Sequence, residues 1–364
     1  MTNSKKISVF QLYAVFFISR VTAFFTFIAP SDTPFSPGDR MILFIPFFLF
    51  SALFSLPVFL VTKDGKTLPD LAGNLSPFLP KILTLVYFIA VLWNAGVSIA
   101  KFEFFMTTAM FSEAILFPFT ALFLIACVYI AMKQTQSIAR CCTILLVLLL
   151  VSVTAIMIST IKEFDVNNLT LPLGEGIFPL LKNGFSAAAR TPETAALLFI
   201  KPEVNGKTNR AYFLWLALFG LFGSIALGFI AGVTGRFGDN QTFQLYTLTV
   251  LAKFGPFEKA DDILSGLWVL CSLFRTAFCI SFAAKNIEMT FAVKNKYMIY
   301  FLSGFIVFSF YYILSRSVGT LSGVLASGIN ELLFAVLTGA VPFIVFAAFV
   351  MKKKTNKKEG ALRI

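Results

Sequence analysis

The constraint that dominates this chain is the recurrence of apolar runs about 20 residues long, the length at which a helix rising about 1.5 Å per residue crosses roughly 30 Å of hydrocarbon. Ten such runs occur, approximately Val9 to Ala29, Met41 to Val61, Ile82 to Phe105, Ile115 to Met132, Cys141 to Ile161, Ile177 to Ile200, Ala211 to Val233, Ile263 to Ala284, Tyr297 to Leu314 and Leu332 to Met351. With 58% hydrophobic residues, 13% charged and 46 phenylalanines in 364 residues, there is more apolar side chain than a soluble globule of this length buries. The expected fold is an all-α integral membrane protein of ten transmembrane helices. One membrane domain spans residues 1–351, and 352–364 form a basic tail.

Composition narrows the chemistry. The chain has no histidine, which removes the usual general base and the commonest metal ligand, so Ser-His-Asp, Cys-His and His-metal sites are excluded. Cys141 and Cys142 are adjacent, Cys127, Cys271 and Cys279 sit singly in apolar runs, and no CxxC spacing appears; they read as small core hydrophobes. No cofactor, no nucleic-acid partner and no enzymatic activity is expected. What remains is transport or recognition within a bilayer.

Charge sets the expected orientation. Lys5 and Lys6 precede an apolar stretch, but it is long, contains Arg20 and lacks a small-residue cleavage site, so it reads as a retained first span. If the N-terminus is cytoplasmic, 19 cations fall on inner segments and six on outer ones, Arg40, Lys162, Arg236, Lys253, Lys259 and Arg316. This is a strong positive-inside signal that places both ends in the cytoplasm and attributes the net charge of +12 to topology and anionic lipid. An even number of spans split five and five, about 7–161 and 176–351, makes the halves inverted by parity alone.

The sixth run breaks its own pattern. Asn183-Gly184 is a turn dipeptide inside it, small residues Ser186 to Ala189 follow, and Thr191-Pro192-Glu193 reads as a helix start: threonine at the N-cap, proline at the first position, glutamate at the positive end of the dipole. The pattern predicts a broken helix, with a simple proline kink as the alternative. Unwound backbone at membrane depth needs protein or a watery cavity around it, so the break marks a candidate site.

Arg20 and Arg275 lie about 20 and about 18 Å into the first and eighth runs, near mid-membrane. An arginine there costs about 2.5 to 3.5 kcal/mol on insertion scales, so both should point inward, toward Glu193, an anionic ligand or bare carbonyls; a structural ion pair is equally compatible. Arg190 and Glu193, three apart, could pair with each other. Lys101, Glu103, Lys182 and Glu331 read as interfacial residues able to snorkel. Trp93-Asn94-Ala95-Gly96 suits close packing or a cavity wall, with packing favoured. The amphipathic piece Phe243 to Phe254, in the long stretch from Gly235 to Asp262, is either a lid or a passive interfacial helix.

Several segments resemble the endospore germination permease family, the membrane-embedded B subunits of spore germinant receptors within the amino acid–polyamine–organocation superfamily. They are Ile7-Ser8-Val9-Phe10-Gln11, Gln136-Ser137-Ile138-Ala139-Arg140, Asp165 to Pro172, Glu193 followed by apolar residues and Pro202, and Tyr246 to Trp268. The resemblance implies a LeuT-like five-plus-five inverted repeat with broken helices 1 and 6. It also implies a ligand pocket among spans one, three, six and eight, and partnership with an A-type membrane subunit and a C-type lipoprotein. By position it places Arg20, Thr22, Asn94, Asn183, Gly184, Ser186, Glu193 and Arg275 near that pocket. Ser19-Arg20-Val21-Thr22 stands where the superfamily usually has a glycine-rich break, which makes Arg20 a substitute for free amides. The function so implied is a permease-like receptor subunit that binds a small nutrient such as an amino acid and triggers germination. The alternative is a proton-coupled amino acid transporter, with Glu193 as proton carrier.

Overall fold

The computed structural model describes residues 6–26, 36–63, 65–110, 117–133, 135–169, 171–174, 176–200, 203–239, 241–252 and 261–361. The helices in chain order are α1 (Val9–Phe25), α2 (Pro37–Ile42), α3 (Phe44–Val61), α4 (Leu68–Gly73), α5 (Leu79–Phe105), α6 (Phe117–Ala131), α7 (Thr135–Ser159), α8 (Ile177–Ala189), α9 (Pro192–Ile200) and α10 (Thr208–Asp239). They continue with α11 (Gln244–Leu251), α12 (Asp261–Phe291), α13 (Lys296–Leu314), α14 (Val318–Ala326), α15 (Ile329–Ala335) and α16 (Val341–Ala361). Short π-helical turns extend α5 through Met106–Met110 and join α15 to α16 through Val336–Ala340.

Seven continuous helical segments among the described residues are long and apolar enough to cross a membrane: Pro37–Val61, Leu79–Met110, Thr135–Ser159, Thr208–Gly235, Asp262–Phe291, Lys296–Leu314 and Ile329–Thr355. α1 and α6 are shorter apolar helices. Leucine, isoleucine and phenylalanine lie open on the outer faces, among them Leu49, Leu122, Ile144, Phe301 and Ile344. In water such a surface would aggregate; hydrocarbon solvates it at no penalty. The chain is a multi-pass helical membrane protein.

Burial ranks the helices. The apolar windows of α5 and α12 are 67% buried against 28% for those of α7 and α16, so α5 and α12 form the centre and α7 and α16 the rim. α12 packs on α1, α5, α6, α7 and α13. Every residue of α9 is buried, as befits a half-helix enclosed by others. The first residues of the described chain are tied to the end of α9: Ile7 and Ser8 pair in parallel with Val204 and Asn205. Ser8 then caps α1 through the Gln11 amide while the Gln11 side chain accepts from the Ser8 amide. That reciprocal cap is the physical content of the Ile7 to Gln11 succession.

Asp165 to Pro172 has a similar role. The Asp165 amide and the Asn168 side chain both donate to the Gly232 carbonyl, at 3.0 and 2.8 Å. Nearby, Gly235 adopts φ of 52°, a left-handed bend that lets α10 turn beside Asn168.

Two expectations need correction. The first span is not broken: α1 is continuous from Val9 to Phe25, straight through Ser19 to Thr22. The segment has no glycine, and Thr22 and Thr26 satisfy their hydroxyls on the Ile18 and Thr22 carbonyls of the same helix. The remainder of that predicted run, Phe27 to Ala29, lies outside the described residues, as does Glu113. The Asn183-Gly184 turn is also absent, because α8 runs through both residues and the interruption falls at Arg190-Thr191. Gly184 instead serves packing: a Cβ there would come within 2.5 Å of the Pro46 Cβ, so its lack of side chain is what lets α8 lie against α3. Of Phe243 to Phe254, the described residues contribute α11, whose Gln244, Leu245, Leu248 and Thr249 are buried, while Lys253 and Phe254 lie outside the described residues. It packs on α10 and α12, and its Tyr246 hydroxyl donates to the Ala109 carbonyl.

Candidate functional site

The break between α8 and α9 follows from two adjacent residues. Pro192 has no N–H to give the Ala188 carbonyl, and Thr191, preceding it, is pushed away from helical geometry. Carbonyls at the end of α8 are thereby left without helical partners, at the negative end of a dipole. Arg20 fills that vacancy. Its guanidinium donates to the Arg190 carbonyl at 2.6 Å and to the Ala187 carbonyl, and it is only 2% exposed. Its Cζ lies 5.6 and 5.9 Å from the centroids of the Phe47 and Phe219 rings, which are themselves 5.7 Å apart. Of the destinations foreseen for it, Arg20 takes the bare carbonyls.

Just across the break, Glu193 sits in the first turn of α9, where the positive end of the helix favours its charge. Ser19 donates to its Oε1 at 2.6 Å. The same Ser19 hydroxyl accepts from Arg275 Nε at 3.3 Å, so a single hydroxyl on α1 bridges a cation on α12 to a carboxylate on α9. Arg275 Nη1 donates to the Ser98 hydroxyl of α5 at 2.5 Å, and Ser98 in turn donates to the Asn94 carbonyl at 2.6 Å. Four elements, α1, α5, α9 and α12, therefore meet around Ser19 and Arg275.

A second knot lies on the other side of the break. Arg190 does not pair with Glu193; it turns to Glu331 at the start of α15, with Nε at 2.6 Å and Nη2 also in contact. Ser186 donates to the same carboxylate oxygen at 2.9 Å. Glu331 is thus buried and engaged, which corrects its interfacial reading. Lys101 is corrected likewise: it is 9% exposed and its ammonium reaches the Ala23 carbonyl at 3.4 Å. A lysine at that position follows the inner face of α5, one turn beyond Ser98, and has no path along it to water. Lys182 is exposed as foreseen, and Glu103 is partly exposed while accepting from the Tyr311 hydroxyl.

Of the eight candidate residues, Arg20, Glu193 and Arg275 converge, with Asn94 contributing its carbonyl and a buried, unpartnered Nδ2. Ser186 belongs to the adjoining Arg190–Glu331 knot. Thr22 is occupied within α1. Asn183 folds onto the Pro179 carbonyl and Gly184 faces Pro46, so neither reaches the cluster. Sequence reasoning missed Ser19 and Ser98. The signal for Ser98 was available: Asn94, Ser98 and Lys101 are spaced four and three apart, one polar stripe on a buried helix.

The electrostatics of the cluster are lopsided. Arg20, Arg190 and Arg275 stand around Glu193 and Glu331, three guanidinium groups for two carboxylates and hence a surplus of one positive charge. Glu193 Oε2, Glu331 Oε2 and Arg20 Nε are buried without hydrogen-bond partners among the described residues. Such groups are expensive unless something pairs with them: the two carboxylate oxygens call for a donor and the Arg20 Nε for an acceptor. No group of three or more metal-ligating side chains occurs among the described residues.

A family model for spore permeases, described as spore germination protein, matches residues 41–318. The chain belongs to the spore germination protein family. Within the family match fall Asn94, Ser98, the whole α8–α9 break, Glu193 and Arg275, while α1 with Ser19 and Arg20, and Glu331, lie outside it. Comparison with curated proteins gave no match. A germination-related, permease-like membrane protein is therefore the coarse description of this spore germination family member.

Proposed function

We propose that the chain is the permease-like subunit of a spore germinant receptor, binding a small nutrient such as an amino acid at the α8–α9 break. The observation that carries this reading is the convergence of Arg20, Ser19, Glu193 and Arg275 on interrupted backbone, with more cations than acids. The ligand carboxylate neutralises the surplus near Arg275 and Asn94 Nδ2, and its ammonium meets the unpartnered Glu193 oxygen. Binding triggers germination only if it favours one arrangement of the helices over another. The break, whose carbonyls Arg20 already holds, is the element that can change.

Counting α1, α6 and the split α8–α9 pair with the seven long segments gives ten spans, the number a LeuT-like five-plus-five inverted repeat requires. The two ends would then face the cytoplasm, and the A-type membrane subunit and C-type lipoprotein would complete the receptor in the spore inner membrane. The test is Arg275→Met. It should abolish the nutrient response of spores while leaving membrane insertion intact; a normal dose response would remove Arg275 from the pocket.

A proton-coupled amino acid transporter is the second reading, favoured by the single free oxygen of Glu193 beside a hydroxyl bridge. Uptake of labelled amino acid by the purified chain in liposomes, driven by a proton gradient and lost in Glu193→Gln, would establish it over sensing.

A further inference from the structure

A cleft separate from the α5–α9–α12 cluster opens between α1, the α2–α3 segment, α8 and α10. Its walls are rings, with Phe44, Phe47 and Phe219 among them. Two guanidinium groups line it, Arg20 at the buried end and Arg40, whose Nη1 also donates to Gln244, on α2. No aspartate or glutamate is among the described residues that line it. Two lining side chains have a buried polar atom without a partner, Arg20 at Nε and Ser224 at Oγ. On α10, Gly223 leaves the wall bare: a Cβ placed there would meet nothing within 4 Å.

We propose that this cleft is a second binding site, for a small organic monocarboxylate with an apolar or aromatic body. The carboxylate answers the Arg20 and Ser224 atoms that have no partner, beside the Arg40 guanidinium, and the body takes up the space between the rings. An ammonium group has nothing to meet there, so an amino acid zwitterion is disfavoured, which separates this site chemically from the nutrient pocket proposed above. Arg20 belongs to both regions. A ligand drawing on Arg20 competes with the Ala187 and Arg190 carbonyls, so occupancy of the cleft bears directly on the α8–α9 break.

The test uses the full chain in phosphatidylcholine nanodiscs, with thermal unfolding followed while phenylacetate, phenylacetamide, phenethylamine or phenylalanine is titrated. Phenylacetate should raise the unfolding temperature saturably, with each of the other three binding at least about tenfold more weakly, the worth of one charge-assisted contact. Gly223→Leu, which fills the cleft, should abolish the phenylacetate effect without lowering the unliganded unfolding temperature, and Arg40→Gln should weaken it about tenfold. Ser98→Ala, in the other pocket, should leave it unchanged. Equal responses to all four compounds, or an undiminished phenylacetate response in Gly223→Leu, would overturn the proposal. So would phenylalanine binding as well as phenylacetate.

Discussion

Ser19 carries more of the site than its size suggests. Its hydroxyl donates to Glu193 and accepts from Arg275, and it is 2% exposed, so no water replaces it if it is removed. A buried hydrogen bond to a charged group is worth about 1.5–3 kcal/mol, and deleting the bridge leaves both charged partners short. Ser19→Ala is therefore expected to weaken nutrient affinity by roughly tenfold or more, read by direct binding of labelled amino acid. Gly184 is the contrasting case. Because its α-carbon faces Pro46, Gly184→Leu should destabilise the fold by about 1–3 kcal/mol and lower the yield of folded protein. The half-saturating nutrient concentration of the protein that does fold should be unchanged, a result that ligand contact by Gly184 would contradict. These residues show how much of the site was legible. Arg20, Glu193 and Arg275 announce themselves because an ionisable group at membrane depth must turn inward. Ser19 does not, because a lone hydroxyl in a membrane helix can satisfy itself on the preceding turn and so signals no partner, and Ser98 shows only through its spacing from Asn94 and Lys101. Glu331 was misread because its partner, Arg190, is 141 positions away in sequence and becomes visible only once α15 is placed against α8.

At the scale of elements, the break is a balance of two terms that the sequence displays unequally. Proline at position 192 disfavours a continuous helix by roughly 3 kcal/mol, and this is read directly from Thr191-Pro192. The opposing term is hidden. In a healed helix the Ala187 and Arg190 carbonyls would take the Thr191 and Thr194 amides, and Arg20 would lose both acceptors. Stranding a buried guanidinium costs as much as proline removal gives back. Pro192→Ala is accordingly expected to shift the unfolding temperature by only a few degrees while reducing the germination response at least about tenfold. Adding Arg20→Met should raise stability above either single variant, since nothing then resists the joined helix; a double variant no more stable than Pro192→Ala would show that Arg20 does not hold the break open. The same logic explains the misplaced interruptions. Asn183-Gly184 reads as a turn only locally, and the helix passes through it because close packing on α3 rewards the missing side chain. Ser19 to Thr22 reads as a break only by resemblance; with no proline or glycine, nothing in that stretch opposes helix.

For the whole molecule the decisive quantity is a parity. The seven long segments alone, an odd number, would put the two ends of the chain on opposite sides of the bilayer. Ten spans, with α1, α6 and the α8–α9 pair crossing, put both ends on one side. The ten-span reading also fixes the connections: Ser76, between α4 and α5, faces the cytoplasm, and Ser315, after α13, faces away from it. Four of the five cysteines are buried and Cys141 is half-buried, so replacing Cys141 alone should give a background with little reactivity. In that background, Ser76→Cys and Ser315→Cys should label oppositely with a membrane-impermeant maleimide applied to intact cells, Ser315→Cys reacting and Ser76→Cys only after lysis. A cysteine appended after Ile364 should behave like Ser76→Cys. With seven spans, the α4–α5 and post-α13 connections are separated by five crossings, α5, α7, α10, α12 and α13, so these two sites still label oppositely and do not discriminate. The ends do. A cysteine placed before Lys5 and one after Ile364 label together if the count is even and apart if it is odd, and reaction of only one of them in intact cells would end the inverted-repeat reading.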